Sequence, residues 1–289
     1  MKTAVTMYSY DQILSSGEKT MVQCLEIAKK TGFDGVEFID LKPENDMDKR
    51  EYALYLRDLC ANLGLEIVCY SISAQLYRPT AEETKSEIDR VKGEVEIASL
   101  LGAKKMRHDV STGAYDSAGR LIPFERALPS MAKSCREITE YAANLGIMTM
   151  TENHGMYCQD SDRMEKLYAS VNHKNFRLLI DIGNFVCADE DPVKAVGRLS
   201  QYAGHVHAKD FYIRPATKSY LMDGFFTSRG GAYLRGAILG HGDLPVQQCL
   251  KTLINSGYDD YIVLEFEGLE DCIKGTTIGF NVLRHLLTT

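Results

Sequence analysis

Four stretches in the second half of the chain decide the fold: IMTMTENH at 147–154, FRLLIDIG at 176–183, GHVHAKDF at 204–211 and YIVLEFEG at 261–268. Each is a short β-rich run that becomes polar near its end. Four similar runs precede them: TAVTMY near residue 5, GVEFID at 35–40, LEIVCYSI at 65–72 and KKMRHDV at 104–110. Longer stretches of helical period separate the runs, a pattern typical of repeated βα units around a parallel sheet.

The helical stretches support this interpretation by their apolar faces and by how they end. One apolar face consists of Ile88, Val91, Val95, Ala98 and Leu101. A second consists of Met131, Cys135, Ile138, Ala142 and Leu145. Several helices end in glycine just before the next strand, as in KKTGFDGV and ANLGLEIV, where glycine adopts the left-handed conformation that stops a helix. Eight such units without a flexible linker predict one α/β domain over 1–289, a closed (β/α)₈ TIM barrel rather than an open doubly wound sheet.

Composition narrows the functional classes. The chain has 45% hydrophobic residues and a formal net charge of −7, from 33 Lys plus Arg against 40 Asp plus Glu. Such a balance gives no general attraction to nucleic acid or to anionic membrane surfaces. The eight cysteines form no CxxC pair, and no stretch approaches the ~18 apolar residues of a membrane span. We therefore expect a cytoplasmic protein, without nucleic-acid or membrane partners and compatible with homo-oligomer formation.

One connection is unusually long. About thirty residues, roughly 212–243, follow the seventh predicted strand, whereas such loops usually run ~2–6 residues. A long loop without secondary structure in a compact domain is usually functional. We therefore predict a long loop after strand 7 that covers the substrate, the alternative being a plain surface insertion.

The chemistry is expected at the strand ends, because active sites of TIM barrels lie at the carboxyl ends of the strands. Glu152, Asp181, His207 and Glu265 end four consecutive predicted strands. Neighbouring strands lie ~4.8 Å apart, so these side chains converge within reach of one metal ion. A single charged residue there would mean no more than a buried ion pair, but four ionisable residues on successive strands favour a functional site. Three carboxylates and one imidazole suit Mn²⁺, our preferred metal, or Mg²⁺, Co²⁺, Fe²⁺ or Zn²⁺.

Several strings resemble a known superfamily in their order and spacing: GFDGVEFID, TENHG, LLIDIGNF, HVHAKDF, LGHGDLP and YIVLEFEG. The chain is similar to the xylose isomerase-like sugar phosphate isomerase/epimerase superfamily, the TIM barrel of AP endonuclease family 2. The resemblance implies one catalytic divalent metal on Glu, Asp, His and Glu of the fifth to eighth strands. These residues are again Glu152, Asp181, His207 and Glu265.

The resemblance also implies catalytic and substrate-binding roles. In the ketose 3-epimerase branch the two metal-binding glutamates act as acid and base, which would be Glu152 and Glu265 here. Asn184 stands where that branch has a substrate-binding histidine, so this chain departs from the branch pattern. Arg107 and His108 end the fourth strand, and only one can face the mouth by parity. The substrate-binding candidates are Glu37, His108, His154, Asn184, Lys209, Arg214 and His241.

Four functions compete. The first is a metal-dependent isomerase or epimerase acting through a cis-enediolate on a ketose, sugar phosphate or keto-polyol. The second is a dehydratase that removes a β-hydroxyl from a cyclic keto-polyol, as in the inosose and dehydroshikimate dehydratases that resemble this fold. A repair endonuclease is disfavoured by the acidic composition. A metal-poor binding subunit is disfavoured by the intact set of four ligand residues.

Overall fold

Eight parallel strands close into a barrel in the computed structural model, which describes residues 1–44, 46–217 and 223–288. In chain order the strands are β1 (Thr3–Thr6), β2 (Gly35–Ile39), β3 (Glu66–Ile72), β4 (Lys105–His108), β5 (Met148–Glu152), β6 (Phe176–Asp181), β7 (Ala203–Ala208), β8 (Asp210–Arg214), β9 (Phe226–Thr227), β10 (Tyr233–Ala237) and β11 (Ile262–Leu264). The barrel order is β1-β11-β7-β6-β5-β4-β3-β2. The predicted (β/α)₈ barrel is thus confirmed, with β11 as its eighth strand.

Helices surround the barrel, and their ends follow the sequence signals. They are α1 (Asp11–Ser15), α2 (Met21–Thr31), α3 (Lys49–Leu63), α4 (Ala81–Leu101), α5 (Phe124–Asn144), α6 (Ser161–Val171), α7 (Pro192–Leu199), α8 (Val246–Asn255) and α9 (Cys272–Leu286), with 3₁₀ helices Met7–Tyr10, Asn184–Ala188 and Ser200–Tyr202. Thr20 and Thr80 begin α2 and α4 with capping boxes. Gly32 and Gly64 end α2 and α3 at φ 111° and 66°, the left-handed region that favours glycine.

The core has two layers because strand side chains alternate between the barrel interior and the helices. The interior layer includes Met150, Leu179 and Val263. The layer between strands and helices includes Leu264 together with the predicted apolar face of α4. Leu145 is the exception on the predicted face of α5, because it follows the helix and is 42% exposed.

The segment after β7 is not a loop without secondary structure. Its described part contains β8, β9 and β10, which form an antiparallel sheet in the order β8-β10-β9. The prediction of an unstructured connection is therefore wrong for those residues, because the two longer strands satisfy each other's backbone groups. Asp210 anchors the end of this sheet by accepting backbone hydrogen bonds from Gly240, Gly242 and Leu244. Residues 218–222 of the segment lie outside the described ranges.

Two further features concern thiols and membranes. All eight cysteines are buried free thiols. Burial raises the pKa of Cys60 to about 12, so its thiol stays protonated at neutral pH and packs as a small apolar group.

Within the described ranges, none of the α-helices combines the length and apolar character that crossing a bilayer requires.

Candidate active site

The carboxyl ends of β5, β6, β7 and β11 bring together the four residues that the sequence singled out. Nδ1 of His207 lies 3.9 Å from Oε1 of Glu152 and 3.9 Å from Oδ2 of Asp181. It lies 2.7 Å from Oε2 of Glu265. All four residues are buried, with at most 9% exposure. Potential ligand atoms of Glu152, Asp181 and His207 all lie within 4.8 Å of one another.

Strand register and local hydrogen bonds set this geometry. Asp181 on β6 is the direct register partner of His207 on β7, and His207 is the partner of Val263, two residues before Glu265. Asn153 exchanges hydrogen bonds with the backbone N–H and carbonyl of Asp181 at 2.8 and 2.9 Å. Oδ1 of Asp181 accepts the backbone N–H groups of Gly183 and Asn184. The other oxygen, Oδ2, is thereby directed into the cluster.

The cluster has the character of a divalent-cation site. Within the described residues, Oδ2 of Asp181 and Nδ1 of His207 are buried without a hydrogen bond of acceptable geometry, despite their close neighbours. Buried polar atoms are rarely left in this state, and each such group requires an explanation. The ligand set of carboxylate oxygens and one imidazole nitrogen fits a hard or borderline divalent metal.

Two cations and one amide surround the four residues. Nζ of Lys209 lies 2.7 Å from Oε1 of Glu265 and 3.2 Å from Oδ2 of Asp181. Arg107 contacts Oε2 of Glu152 at 2.6 Å. Asn184 donates to Oε1 of Glu152 at 2.9 Å and accepts from Lys209 at 3.2 Å. These contacts hold both candidate catalytic carboxylates in fixed positions.

Burial and ion pairing perturb the ionisation of the carboxylates in opposite directions. Burial raises the pKa of Asp181, and Glu265 and Glu152 add to the increase while Lys209 opposes it. Burial alone would also raise the pKa of Glu265, but Lys209 and His207 outweigh it and lower that pKa. Buried carboxylates close together cannot all keep their negative charge without nearby cations.

A cavity of about 850 Å³ opens above this cluster. Four of the predicted substrate-binding residues line it: Glu37, His154, Asn184 and Lys209. His154 has 46% of its side chain exposed, and its Nδ1 lies 3.0 Å from Oδ1 of Asp109. Partial desolvation would lower the pKa of His154, but the hydrogen bond to Asp109 and the charge of Glu152 outweigh it and raise that pKa.

Comparison with known proteins is consistent with this architecture. The sequence profile of the xylose isomerase-like TIM barrel family matches residues 25–284. The chain belongs to this family. The inosose dehydratase of Clostridium perfringens (strain 13 / Type A) is 24% identical over 262 residues, which cover 86% of this chain and 83% of that protein.

Solved structures share the fold of this xylose isomerase-like barrel. The IolI protein with a binding zinc atom has a TM-score of 0.79 at 15% identity, covering 100% of this chain and 98% of that one. D-psicose 3-epimerase with D-tagatose, from Clostridium cellulolyticum H10, has a TM-score of 0.76 at 14% identity, covering 99% of both chains. At these identities the likeness concerns the fold alone.

Three predicted substrate-binding residues lie away from the cavity of this xylose isomerase-like barrel. His108 is fully buried between Arg107 and Asp109, which both line the cavity, so it points to the other side of its strand. Burial lowers the pKa of His108 to about 4. Arg214 pairs with Asp243 at 2.7 Å, and the exposed His241 is not among the lining residues. These placements argue against contact between these three side chains and a ligand in the cavity.

Arg107, Asp109 and Glu267 also line the cavity and were not among the selected site residues. Arg107 bridges Asp109 and Glu152, at 2.8 and 2.6 Å. Glu267 lies 3.5 Å from Nζ of Lys209. Parity relates them to one another, because Arg107 and Asp109 share one face of their segment and Glu267 shares a face with Glu265. It does not by itself decide which face of β4 points into the mouth.

Proposed function

We propose that this chain is a divalent-metal-dependent lyase that removes water from a cyclic keto-polyol. The observation that carries the proposal is His154, a titratable side chain that faces the cavity two residues beyond Glu152 and is held by Asp109 at 3.0 Å. Removal of water needs a base for a C–H proton and an acid for the departing hydroxyl. The name of the inosose dehydratase relatives supports the same substrate class.

The metal would be held by Glu152, Asp181, His207 and Glu265, with Mn²⁺ preferred and Mg²⁺, Co²⁺, Fe²⁺ or Zn²⁺ also suited to this ligand set. Bound there, it would polarise the substrate carbonyl and make the neighbouring C–H bond more acidic. Lys209 and Asn184 line the same cavity and are polar enough to orient substrate hydroxyls. Arg107 holds Glu152 at 2.6 Å and so fixes the wall of the cavity on which His154 lies.

Proton movement would be divided between two walls. Glu265, just after β11, would take the proton from the carbon next to the carbonyl, and the electron pair of that C–H bond would form the new double bond. The C–O bond to the β-hydroxyl would break as His154 delivers a proton to its oxygen, which leaves as water. Asp109 would keep the imidazole oriented and favour its protonated form.

Epimerisation of a ketose is the second candidate, and one observation favours it. Glu152 and Glu265 come from β5 and β11, at opposite ends of the run of four ligand-bearing strands, so they can flank a bound ketose. In that reaction one glutamate would remove the proton and the other would return a proton to the opposite face. No hydroxyl would leave, and His154 would have no proton to transfer.

Product analysis in D₂O separates the two reactions. The metal-loaded protein would be incubated with an inosose and, separately, with D-tagatose. A lyase forms a product lighter by one water, whereas an epimerase forms an isomer that differs only by the deuterium label. In His154→Asn a lyase keeps deuterium exchange next to the carbonyl but loses the dehydrated product. His241→Asn is the matched control because His241 does not line the cavity. If the unaltered protein gives neither deuterium exchange nor product, both reactions are refuted.

A further inference from the structure

The cavity has two chemically different walls. The metal-ligand candidates come from β5, β6, β7 and β11, which are consecutive in the barrel. Another part of the lining comes from the segment after β1, from α1, from the start of α2 and from the end of β2. Five apolar side chains of this lining, one of them on β9, are here named the apolar wall: Tyr8, Leu14, Met21, Ile39 and Phe226.

The cavity is larger than a single polyol ring requires. A monocyclic keto-polyol has about a dozen non-hydrogen atoms. Even at ~30 Å³ for each, the share of a water molecule in the liquid, it would fill less than half of a cavity of about 850 Å³. The volume lies in the upper part of the ~300–1,000 Å³ range of pockets that hold drug-sized ligands. A ligand on the metal-binding side therefore leaves room for a second ring beside the apolar wall.

The apolar wall exposes two aromatic side chains to this space. Tyr8 is 39% exposed and Phe226 is 41% exposed. The ring of Phe226 packs edge to face on Phe211 with centroids 5.7 Å apart, which supports it from behind. Exposed aromatic rings in a concave apolar site gain free energy when another ring covers them.

Three acidic groups near the apolar wall already accept hydrogen bonds. Asp11 accepts the hydroxyl of Ser15 at 2.7 Å. Asp40 accepts the hydroxyl of Ser73 at 2.6 Å, and Glu44 accepts the backbone N–H of Met21 at 3.2 Å. A second sugar ring placed on the apolar wall would press several hydroxyls against apolar side chains, and desolvated hydroxyls without partners are costly. An aromatic ring carries no such cost.

We propose that the apolar wall is a binding subsite for an aromatic ring attached to the sugar or polyol, so that the ligand class is an aryl-substituted polyol. The assignment of the polyol part to the metal-binding side rests on the proposed function. The aromatic subsite rests on the cavity volume and on the side chains of the wall.

Calorimetric binding of three ligands tests the subsite without any turnover: phenyl β-D-glucopyranoside, methyl β-D-glucopyranoside and cellobiose. We expect the phenyl glucoside to bind at least tenfold more tightly than the methyl glucoside, as burial of an aromatic side chain would give. Leu14→Gln should reduce this advantage to less than threefold. Leu145→Gln is the matched control, because Leu145 is exposed after α5 and does not line the cavity.

The outcomes separate this subsite from the proposed reaction. Equal affinity for the phenyl and methyl glucosides, tight binding of cellobiose, or binding of none of the three would overturn the aromatic subsite. An unchanged phenyl advantage in Leu14→Gln would overturn it as well. The same titrations in Asp181→Asn should preserve the phenyl advantage, because Asp181 is not one of the residues of the apolar wall. A persistent advantage in a protein that dehydrates no polyol would refute the lyase and leave the subsite standing.

Discussion

Glu37 Oε2 lies 2.9 Å from Nε2 of His207, on the side of the imidazole ring opposite the carboxylate cluster. The same oxygen lies 2.9 Å from Nε2 of His205, and Ser71 donates to Oε1 at 2.6 Å. Burial alone would raise the pKa of Glu37, but His207 and His205 outweigh it and lower that pKa well below its ordinary value. An ionised Glu37 can only accept, so Nε2 of His207 donates a proton to it, and Nδ1 is the nitrogen that would bind a metal.

Glu37→Gln should therefore weaken metal binding about 10–100-fold, the usual effect of losing a partner that orients a ligating histidine. The amide can donate to His207 as readily as it accepts, so the tautomer is no longer fixed. Competition with a chelator would give the dissociation constant. The control is Glu94→Gln, since Glu94 accepts the hydroxyl of Tyr70 at 2.7 Å but does not line the cavity. An unchanged dissociation constant in Glu37→Gln would contradict the orienting role.

The metal itself gives a second prediction. Purified protein should carry close to one equivalent of a first-row divalent ion, and Asp181→Asn, Glu152→Gln, Glu265→Gln and His207→Ala should each lose it. Asp109→Asn is the matched control, because Asp109 lies in the same cavity but pairs with Arg107 and His154. Elemental analysis is the measurement. Undiminished metal in His207→Ala would show that the ion is held elsewhere.

The sheet after β7 gives a third prediction, because its described part contacts neighbouring loops at the mouth. Arg229 contacts Oδ2 of Asp160 at 3.0 Å, and its backbone N–H donates to the carbonyl of Cys187 at 2.8 Å. The hydroxyl of Ser228 donates to Asp189 at 2.5 Å. Deleting 216–234 should therefore weaken ligand binding at least tenfold while the barrel stays folded by circular dichroism.

Arg229→Ala should weaken ligand binding in the same direction as the deletion but by a smaller factor. Arg214→Ala is its control, since Arg214 pairs with Asp243 and does not line the cavity. Native affinity in the deletion variant would mean that the segment is a plain surface insertion. Residues 218–222 of the deleted stretch lie outside the described ranges.

The barrel and the convergence of four strand-end residues were predictable because both depend on local pattern. A β-strand has a period of two, and parallel strands in a barrel end at one rim. Those rules bring Glu152, Asp181 and His207 to the same level. The position of each along its own strand was enough to foresee the cluster.

Other parts of the site depend on relations that the pattern does not contain. β4 has polar residues on both faces, so parity alone did not separate Arg107 from His108. The contact between Glu37 and His207 spans 170 residues and joins strands that are not neighbours in the barrel. The sheet of β8, β9 and β10 was missed because β9 has two residues and its partner strand follows a glycine-rich turn.

The opposite end of the barrel contains a different charge pair. Nζ of Lys105, at the start of β4, contacts a carboxylate oxygen of Asp260, just before β11. These strands are four positions apart in the closed barrel, so the pair spans its interior at the amino-terminal end. Lys105 has only 13% of its side chain exposed, whereas Asp260 keeps 40%. The pair therefore joins two sides of the barrel that share no backbone hydrogen bonds.

Asp260→Asn should lower the free energy of unfolding by about 1–3 kcal/mol at neutral pH, less than the ~3–5 kcal/mol of a fully buried pair because Asp260 is partly exposed. Burial alone would raise the pKa of Asp260, but its hydrogen bond and charge interaction with Lys105 lower it. A carboxyl group with a depressed folded-state pKa contributes its full stabilisation above the pKa of the unfolded chain, ~3.9, and loses it as pH falls through the folded value. The difference between the two proteins should therefore be constant from about pH 5 to 7 and shrink as the pH falls below about 4, as measured by urea unfolding. The control is Asp89→Asn, in the exposed pair with Lys85, which should lower the free energy of unfolding by less than about 1 kcal/mol. An equally small decrease in Asp260→Asn at pH 7 would show that the pair across the barrel contributes no more than a surface pair.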